Sequence, residues 1–140
     1  MKNIDQYYMK YAIKESKKAY KKGDVPVGTI IVKNNKILSK AYNKVEKIKD
    51  STKHAEIIAI SKASKKKKNW RLDDCVLYTT MEPCNMCCGA IEKSRIQKIV
   101  YGIKNEKHGG TKNLKNVEIK GSVCEEEIKN IVQNFFKKIR

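Results

Sequence analysis

Apolar side chains recur at Ile4, Tyr7, Tyr8, Tyr11, Ala12, Ala19 and Tyr20, close to helical spacing, and Gly23 supplies a stop, so a helix is predicted over residues 3–22. Val27–Val32 is dense in β-branched residues, Asn34-Asn35 is a turn pair, and Lys36–Tyr42 can return as a second strand. Ser51 or Thr52 can cap a helix running to Lys67, which puts His54 and Glu56 in its first turns. Cys75–Thr80 reads as a buried central strand, and Pro83 opens a further helix because proline is tolerated where the first N–H groups lack partners. Gln97–Ile103 and the weaker Val117–Lys120 are the last two strands. Glu125–Ile139 closes the chain as an amphipathic helix, acidic in its first turn and basic in its last. This order predicts an α/β protein, a three-layer α/β/α sandwich around a central five-stranded mixed sheet. One link is tight. Lys104–Asn116 offers thirteen residues, near the minimum for a crossover between parallel strands, so either a single turn spans it or the last strand pairs differently.

At 140 residues the chain fits one domain over residues 1–140. It has no apolar run long enough to cross a bilayer and no signal-peptide core near Met1, so no membrane association and a cytoplasmic location are expected. Five cysteines is an odd number, and the crowding of Cys84, Cys87 and Cys88 suits metal binding better than a disulfide framework. The net charge of +17 favours a polyanionic partner. Its weight is reduced by its make-up: 29 of the 32 basic residues are lysines, which fill solvated faces, and Lys65–Lys68 lies where it would stabilise a helix C-terminus.

The chemistry concentrates in two short runs, His54-Ala55-Glu56 and Pro83-Cys84-Asn85-Met86-Cys87. One imidazole and two thiolates can hold a zinc ion through three protein ligands, leaving the fourth position for water, as catalytic zinc requires. Glu56, two residues from His54 and not needed as a ligand, is placed to move protons to and from that water. A redox Cys-x-x-Cys pair would leave the His-x-Glu run unexplained. A structural zinc site needs a fourth ligand; the only other histidine is His108, and Cys75 or Cys124 could supply one but without supporting spacing. Cys88 follows Cys87 directly, so on a helix it points roughly 100° away. Cys75, Cys88 and Cys124 are assigned no role. Cys84 and Cys87 at a helix start gain from the dipole and free N–H groups, which stabilise thiolates.

The H-x-E…P-C-x-x-C pattern resembles that of the zinc nucleobase deaminases, the cytidine deaminase-like superfamily. The chain most closely resembles the bacterial tRNA-specific adenosine deaminases. That likeness is carried by Asp24-Val25-Pro26-Val27-Gly28, Asn43, His54-Ala55-Glu56-Ile57, Asn69-Trp70-Arg71-Leu72, Glu82-Pro83-Cys84-Asn85-Met86-Cys87, Gly89-Ala90, Ser94-Arg95-Ile96, Tyr101-Gly102 and Phe135-Phe136. The resemblance implies a homodimer with one zinc per chain, which converts the wobble adenosine of a tRNA anticodon stem-loop to inosine. An activated water attacks C6 of adenine, and Glu56 takes its proton, protonates the ring nitrogen and helps ammonia leave. It also implies that Asn43 hydrogen-bonds the nucleoside and Val27 packs on the base; read on their own, Asn43 could simply end a strand and Val27 could be ordinary core. Phe135 and Phe136 are neighbours and point in different directions on a helix, so one packs inward while the other could meet loop bases beside Lys137, Lys138 and Arg140.

Two departures stand out. The Lys104–Asn116 segment is shorter than the family's, and Asn105 falls where the family usually has Asp. An aspartate accepts a hydrogen bond from a ribose 2′-OH, whereas Asn can also donate, so weaker discrimination between RNA and single-stranded DNA is expected. Two rival functions share the motif. One is a deaminase of free nucleobases or nucleosides, of guanine or cytosine type, and the other is a non-catalytic zinc-stabilised RNA-binding module.

Overall fold

The computed structural model describes residues 3–139. Its elements are α1 (Ile4–Lys21), β1 (Gly28–Lys33), β2 (Lys36–Tyr42), α2 (Val45–Ile48), α3 (Ala55–Lys67), β3 (Cys75–Met81), α4 (Asn85–Lys93), β4 (Lys98–Ile103), β5 (Glu118–Lys120) and α5 (Glu125–Lys138). A single 3-10 turn, Thr111–Asn113, sits between β4 and β5. The strands form one sheet in the order β2-β1-β3-β4-β5. β1 runs antiparallel to both β2 and β3, while β3, β4 and β5 are parallel. The mixed five-stranded sheet is the one expected, and the short link is resolved: one turn suffices, and β5 pairs parallel with β4 through Lys98↔Glu118 to Val100↔Lys120.

Alternation along the strands makes the three layers. Ile30, Val32, Tyr78 and Val100 face Tyr8, Met9, Ala12 and Ile13 of α1 and Ile128 of α5. Ile31, Leu77 and Ile99 face the other way, against Ala59 and Ala63 of α3 and Ile91 of α4. Because both faces are covered, the central strands are continuous apolar runs. The Asn34-Asn35 turn has both residues at positive φ (49° and 61°), the twist that suits a two-residue hairpin, and Lys33 pairs with Lys36 across it. Gly23, at φ 82°, ends α1 as expected.

The start of α3 corrects the expectation. Neither Ser51 nor Thr52 caps it; His54 does, with extended backbone (φ −71°, ψ 151°) and no side-chain capping bond. Thr52 is occupied elsewhere, its hydroxyl donating to Asp50 (2.7 Å) within a local turn. Likewise Cys84, not Pro83, is the N-cap residue of α4. The four-residue helix α2 was not foreseen. It is held from outside: the buried Asp24 carboxylate accepts the N–H groups of Glu46 (2.7 Å) and Lys47 (3.2 Å).

No helix among the described residues is long and apolar enough to cross a membrane. At the lower edge of the sheet a buried carboxylate ties α1 to β3 and β5: Asp5 accepts from Tyr78 Oη (2.8 Å) and Lys120 Nζ (2.7 Å). Burial opposes the charge on Asp5, but the bonds from Lys120 and Tyr78 outweigh it and hold the carboxyl below its usual 3.8. The folded state therefore releases this proton more readily than the unfolded chain, so the contribution is present above about pH 4 and lost as the pH falls below it. Asp5→Asn should lower the unfolding free energy by about 1.5 kcal/mol at neutral pH, a modest figure because Lys120 is half exposed. Urea denaturation of both proteins should show that gap narrowing in acid; a gap independent of pH would rule the network out as its source.

Candidate active site

The sheet topology brings the chemistry to one edge. β1 is antiparallel to β3, so its start lies beside the ends of β2, β3 and β4, as the pairs Gly28↔Tyr42 and Met81↔Ile103 require. Val27 precedes β1, Asn43 follows β2, Glu82 follows β3 and Asn105 lies just beyond β4. Ligands of open α/β sheets bind outside the carboxyl ends of parallel strands, and the cavity here does so. It measures about 290 Å³, near the low end for small-molecule sites, and its walls include Val27, Asn43, His54, Glu56, Glu82, Cys84 and Asn105.

The N-terminus of α3 supplies His54 and Glu56, and that of α4 supplies Cys84 and Cys87. His54 Nδ1 lies 3.7 Å from Cys84 Sγ and 3.5 Å from Cys87 Sγ. Tetrahedral zinc with ordinary Zn–N and Zn–S bonds holds its nitrogen and sulfur ligands about 3.6 Å apart. All three donor atoms lie within 4.8 Å of one another, and they form the metal-capable group found among the described residues. The donor set and its spacing therefore fit zinc, with no fourth protein ligand in that group. His54 and Cys84 both cap helices without a side-chain capping bond, so their donor atoms are turned to each other and to Cys87 rather than to the helix ends.

The three donor groups shift one another's protonation. Hydrogen bonds from Cys87 and His54 draw the Cys84 thiol down to about 3, against the effect of burial. The bond to Cys84 raises the imidazole of His54. Cys87 moves strongly upward, because its proton is shared with the Cys84 thiolate and it is buried beside Glu56. Glu56, 4% exposed, is pushed up to about 7, chiefly by burial, against its own backbone N–H and the nearby His54.

The remaining expected residues divide. Val27 and Asn43 lie together, since the Asn43 N–H donates to the Val27 carbonyl (3.0 Å), and both line the cavity. Asn105 lines it too, with its side-chain Oδ1 accepting from the His108 N–H (3.1 Å). Phe135 is not among the residues lining it: the ring is buried against Tyr20 at a centroid distance of 5.6 Å and serves the packing of α5 on α1. Phe136 is 40% exposed beside Lys137 and Lys138; Arg140 is outside the described residues. Cys88 turns away, its thiol donating to the Pro83 carbonyl (3.6 Å), and burial pushes it up to about 12. Burial likewise raises Cys75 to about 11, so both stay protonated thiols of the core. Asp24 and Glu82 line the cavity without having been singled out. The signal for Glu82 was available: an acid at a strand's carboxyl end, immediately before the Pro-Cys turn.

Residues 3–140 match the family model for the MafB19-like deaminases. A curated relative, the tRNA-specific adenosine deaminase of Aquifex aeolicus (strain VF5), is 41% identical over 96% of this chain and 95% of its own length. Among solved structures, one from studies of A-to-I editing by tRNA:A34 deaminases at the wobble position superposes with a TM-score of 0.83 at 28% identity, covering 89% of this chain and 98% of that one. The guanine deaminase of Bacillus subtilis superposes with a TM-score of 0.69 at 36% identity, over 76% of this chain and 67% of that one. Sequence and fold agree along almost the full length, and the chain belongs to the MafB19-like deaminases and, within them, to the tRNA-specific adenosine deaminase family.

Proposed function

We propose that this protein is a zinc-dependent hydrolase that converts adenosine to inosine at the wobble position of tRNA anticodon loops. It would act as a single deaminase domain over residues 1–140, as a cytoplasmic homodimer with one zinc per chain. The observation that carries the reading is a buried, unligated Glu56 beside the His54–Cys84–Cys87 cluster, in a chain 41% identical to a tRNA-specific adenosine deaminase. His54, Cys84 and Cys87 would hold the ion, which when bound supplies Lewis-acid activation of a water molecule. Glu56 takes the proton from the attacking water, passes it to the purine ring nitrogen, and returns a proton to the departing amine. Adenosine and water become inosine and ammonia. Val27 offers an apolar surface to the base, and Asn43 offers amide and carbonyl groups to the nucleoside. The target base must leave its stack, which costs little in a single-stranded loop. Exposed Phe136, with Lys137 and Lys138, supports contact with loop bases and phosphates.

The direct test is incubation of the zinc-loaded protein with an anticodon stem-loop carrying wobble adenosine, followed by sequencing for inosine. Release of ammonia from guanine or free nucleosides, with the stem-loop untouched, would favour the nucleobase deaminase instead. A monomer in sedimentation at working concentration would remove the dimer.

Glu56→Ala should keep zinc at one per chain yet lower kcat by about 10²–10⁴-fold, the usual span of general acid–base catalysis. His54→Ala should lose both metal and turnover. Zinc analysis beside an ammonia assay separates the two, and a Glu56→Ala protein with normal turnover would end the proton-shuttle assignment and revive the RNA-binding module.

Asn105 in place of Asp supports relaxed discrimination against single-stranded DNA, since a neutral amide, whose Oδ1 already accepts the His108 N–H (3.1 Å), accepts from a ribose 2′-OH less strongly than a carboxylate. On matched RNA and DNA oligonucleotides, Asn105→Asp should widen the RNA preference. A strong preference already present and unmoved by the substitution would refute this.

A further inference from the structure

Glu82 is one of four carboxylates in the cavity wall, with Asp24, Glu46 and Glu56, and no catalytic step uses it. It follows β3 directly, its N–H donating to the Ile103 carbonyl at the end of β4 (2.8 Å). Its carboxylate reaches across to the Asn105–Thr111 segment. Oε1 accepts the Asn105 N–H (3.2 Å); Oε2 accepts the Thr111 N–H (3.3 Å) and the Thr111 hydroxyl (2.5 Å). One carboxylate thus grips both ends of the segment through three hydrogen bonds. It is also outside the metal-capable group.

The segment lies flat on the metal-binding turn. Gly110 N–H donates to the Pro83 carbonyl (2.9 Å), Gly109 bridges to Cys84, and Asn113 Nδ2 reaches Asn85 Oδ1 (3.3 Å). No side chain fits beneath it: a Cβ on Gly109 would overlap Glu82 Oε1 and stand 2.7 Å from the Asn105 carbonyl, and one on Gly110 would stand 2.6 Å from Asn85 Oδ1. Asn105, a residue of the cavity wall whose side-chain Oδ1 accepts the His108 N–H within the same segment, is therefore carried on a segment seated on the Pro83–Asn85 turn and fastened by one acid.

We propose that Glu82 is a positioning residue whose carboxylate clamps the 105–111 segment onto the Pro83–Asn85 turn, fixing Asn105 at the cavity wall and so setting affinity for the polynucleotide rather than the rate of the chemical step. The substrate rests on the proposed function above; the clamp does not. A glutamine cannot replace the acid, because three donors converge on two acceptor oxygens and its amide would turn a donor toward donors.

Glu82→Gln should raise KM for the stem-loop about tenfold with kcat within about twofold and zinc unchanged. Thr111→Val, which removes one donor and leaves the acid, should give a smaller rise, and Thr111→Ser should restore the parent value; this pair carries the test if Glu82→Gln does not fold. Amide hydrogen exchange without substrate should quicken about tenfold at Asn105 and Thr111 in Glu82→Gln, with α3 unaffected. Unchanged exchange at those two amides overturns the clamp, as does a fall in kcat at constant KM, or loss of zinc. If the parent protein leaves the stem-loop untouched, the functional reading fails, and the exchange experiment still decides the clamp.

Discussion

His54 Nδ1 stands within 3.7 Å of two cysteine sulfurs because two helices begin at the same edge of one sheet. That meeting of helix N-termini is the constraint on which the site depends. A helix start leaves N–H groups without intrahelical partners and carries partial positive charge, which suits thiolates and an anionic oxygen. The cost is that neither His54 nor Cys84 caps its helix by a side-chain bond. The thiols and imidazole instead satisfy one another, and Cys84 sits near 3 as a result. Glu56, in the first turn of α3, is buried by the same convergence, and its carboxyl near 7 follows from that burial.

The sheet makes the meeting possible by mixing strand directions. Had β1 run parallel to β3, Val27, with Asn43 paired to it across the β1–β2 hairpin, would lie at the opposite edge, away from Glu82. Instead, a two-residue Asn34-Asn35 turn reverses the chain, and buried bonds lock β1 to β3: Thr29 to Thr79 (3.0 Å) and Gly28 N–H to Thr80 Oγ1 (3.1 Å). The cavity inherits apolar walls from the strand ends and polar groups from the segments just beyond them. Two acids serve it differently. Asp24 secures α2, and Glu82 secures the segment after β4.

The short link between β4 and β5 shows how a crossover can be made with little chain. A compact turn takes the place of a full helix, and Gly109 and Gly110 let its backbone rest directly on the Pro83–Asn85 turn. Leu114 packs against the core on the α3 and α4 side, and hydrogen bonds to Glu82 and Pro83 hold the segment before it.

Much of this was legible in the residues alone. Strand alternation and β-branched runs located the sheet, Gly23 and Asn34-Asn35 marked their turns, and His-x-Glu with Cys-x-x-Cys named the donor set, because period, turn chemistry and ligand type are local properties. The sequence could not say that Thr52 would bond to Asp50 and leave His54 to cap α3, since Thr is the better cap by its own chemistry and only the site's geometry overrides that preference. Nor could it say which of Phe135 and Phe136 would be buried, a matter of how α5 settles on Tyr20. The helix α2 and the grips of Asp24 and Glu82 join residues some twenty to thirty positions apart. Contacts of that span exist only once strand directions are set, and no local pattern encodes them.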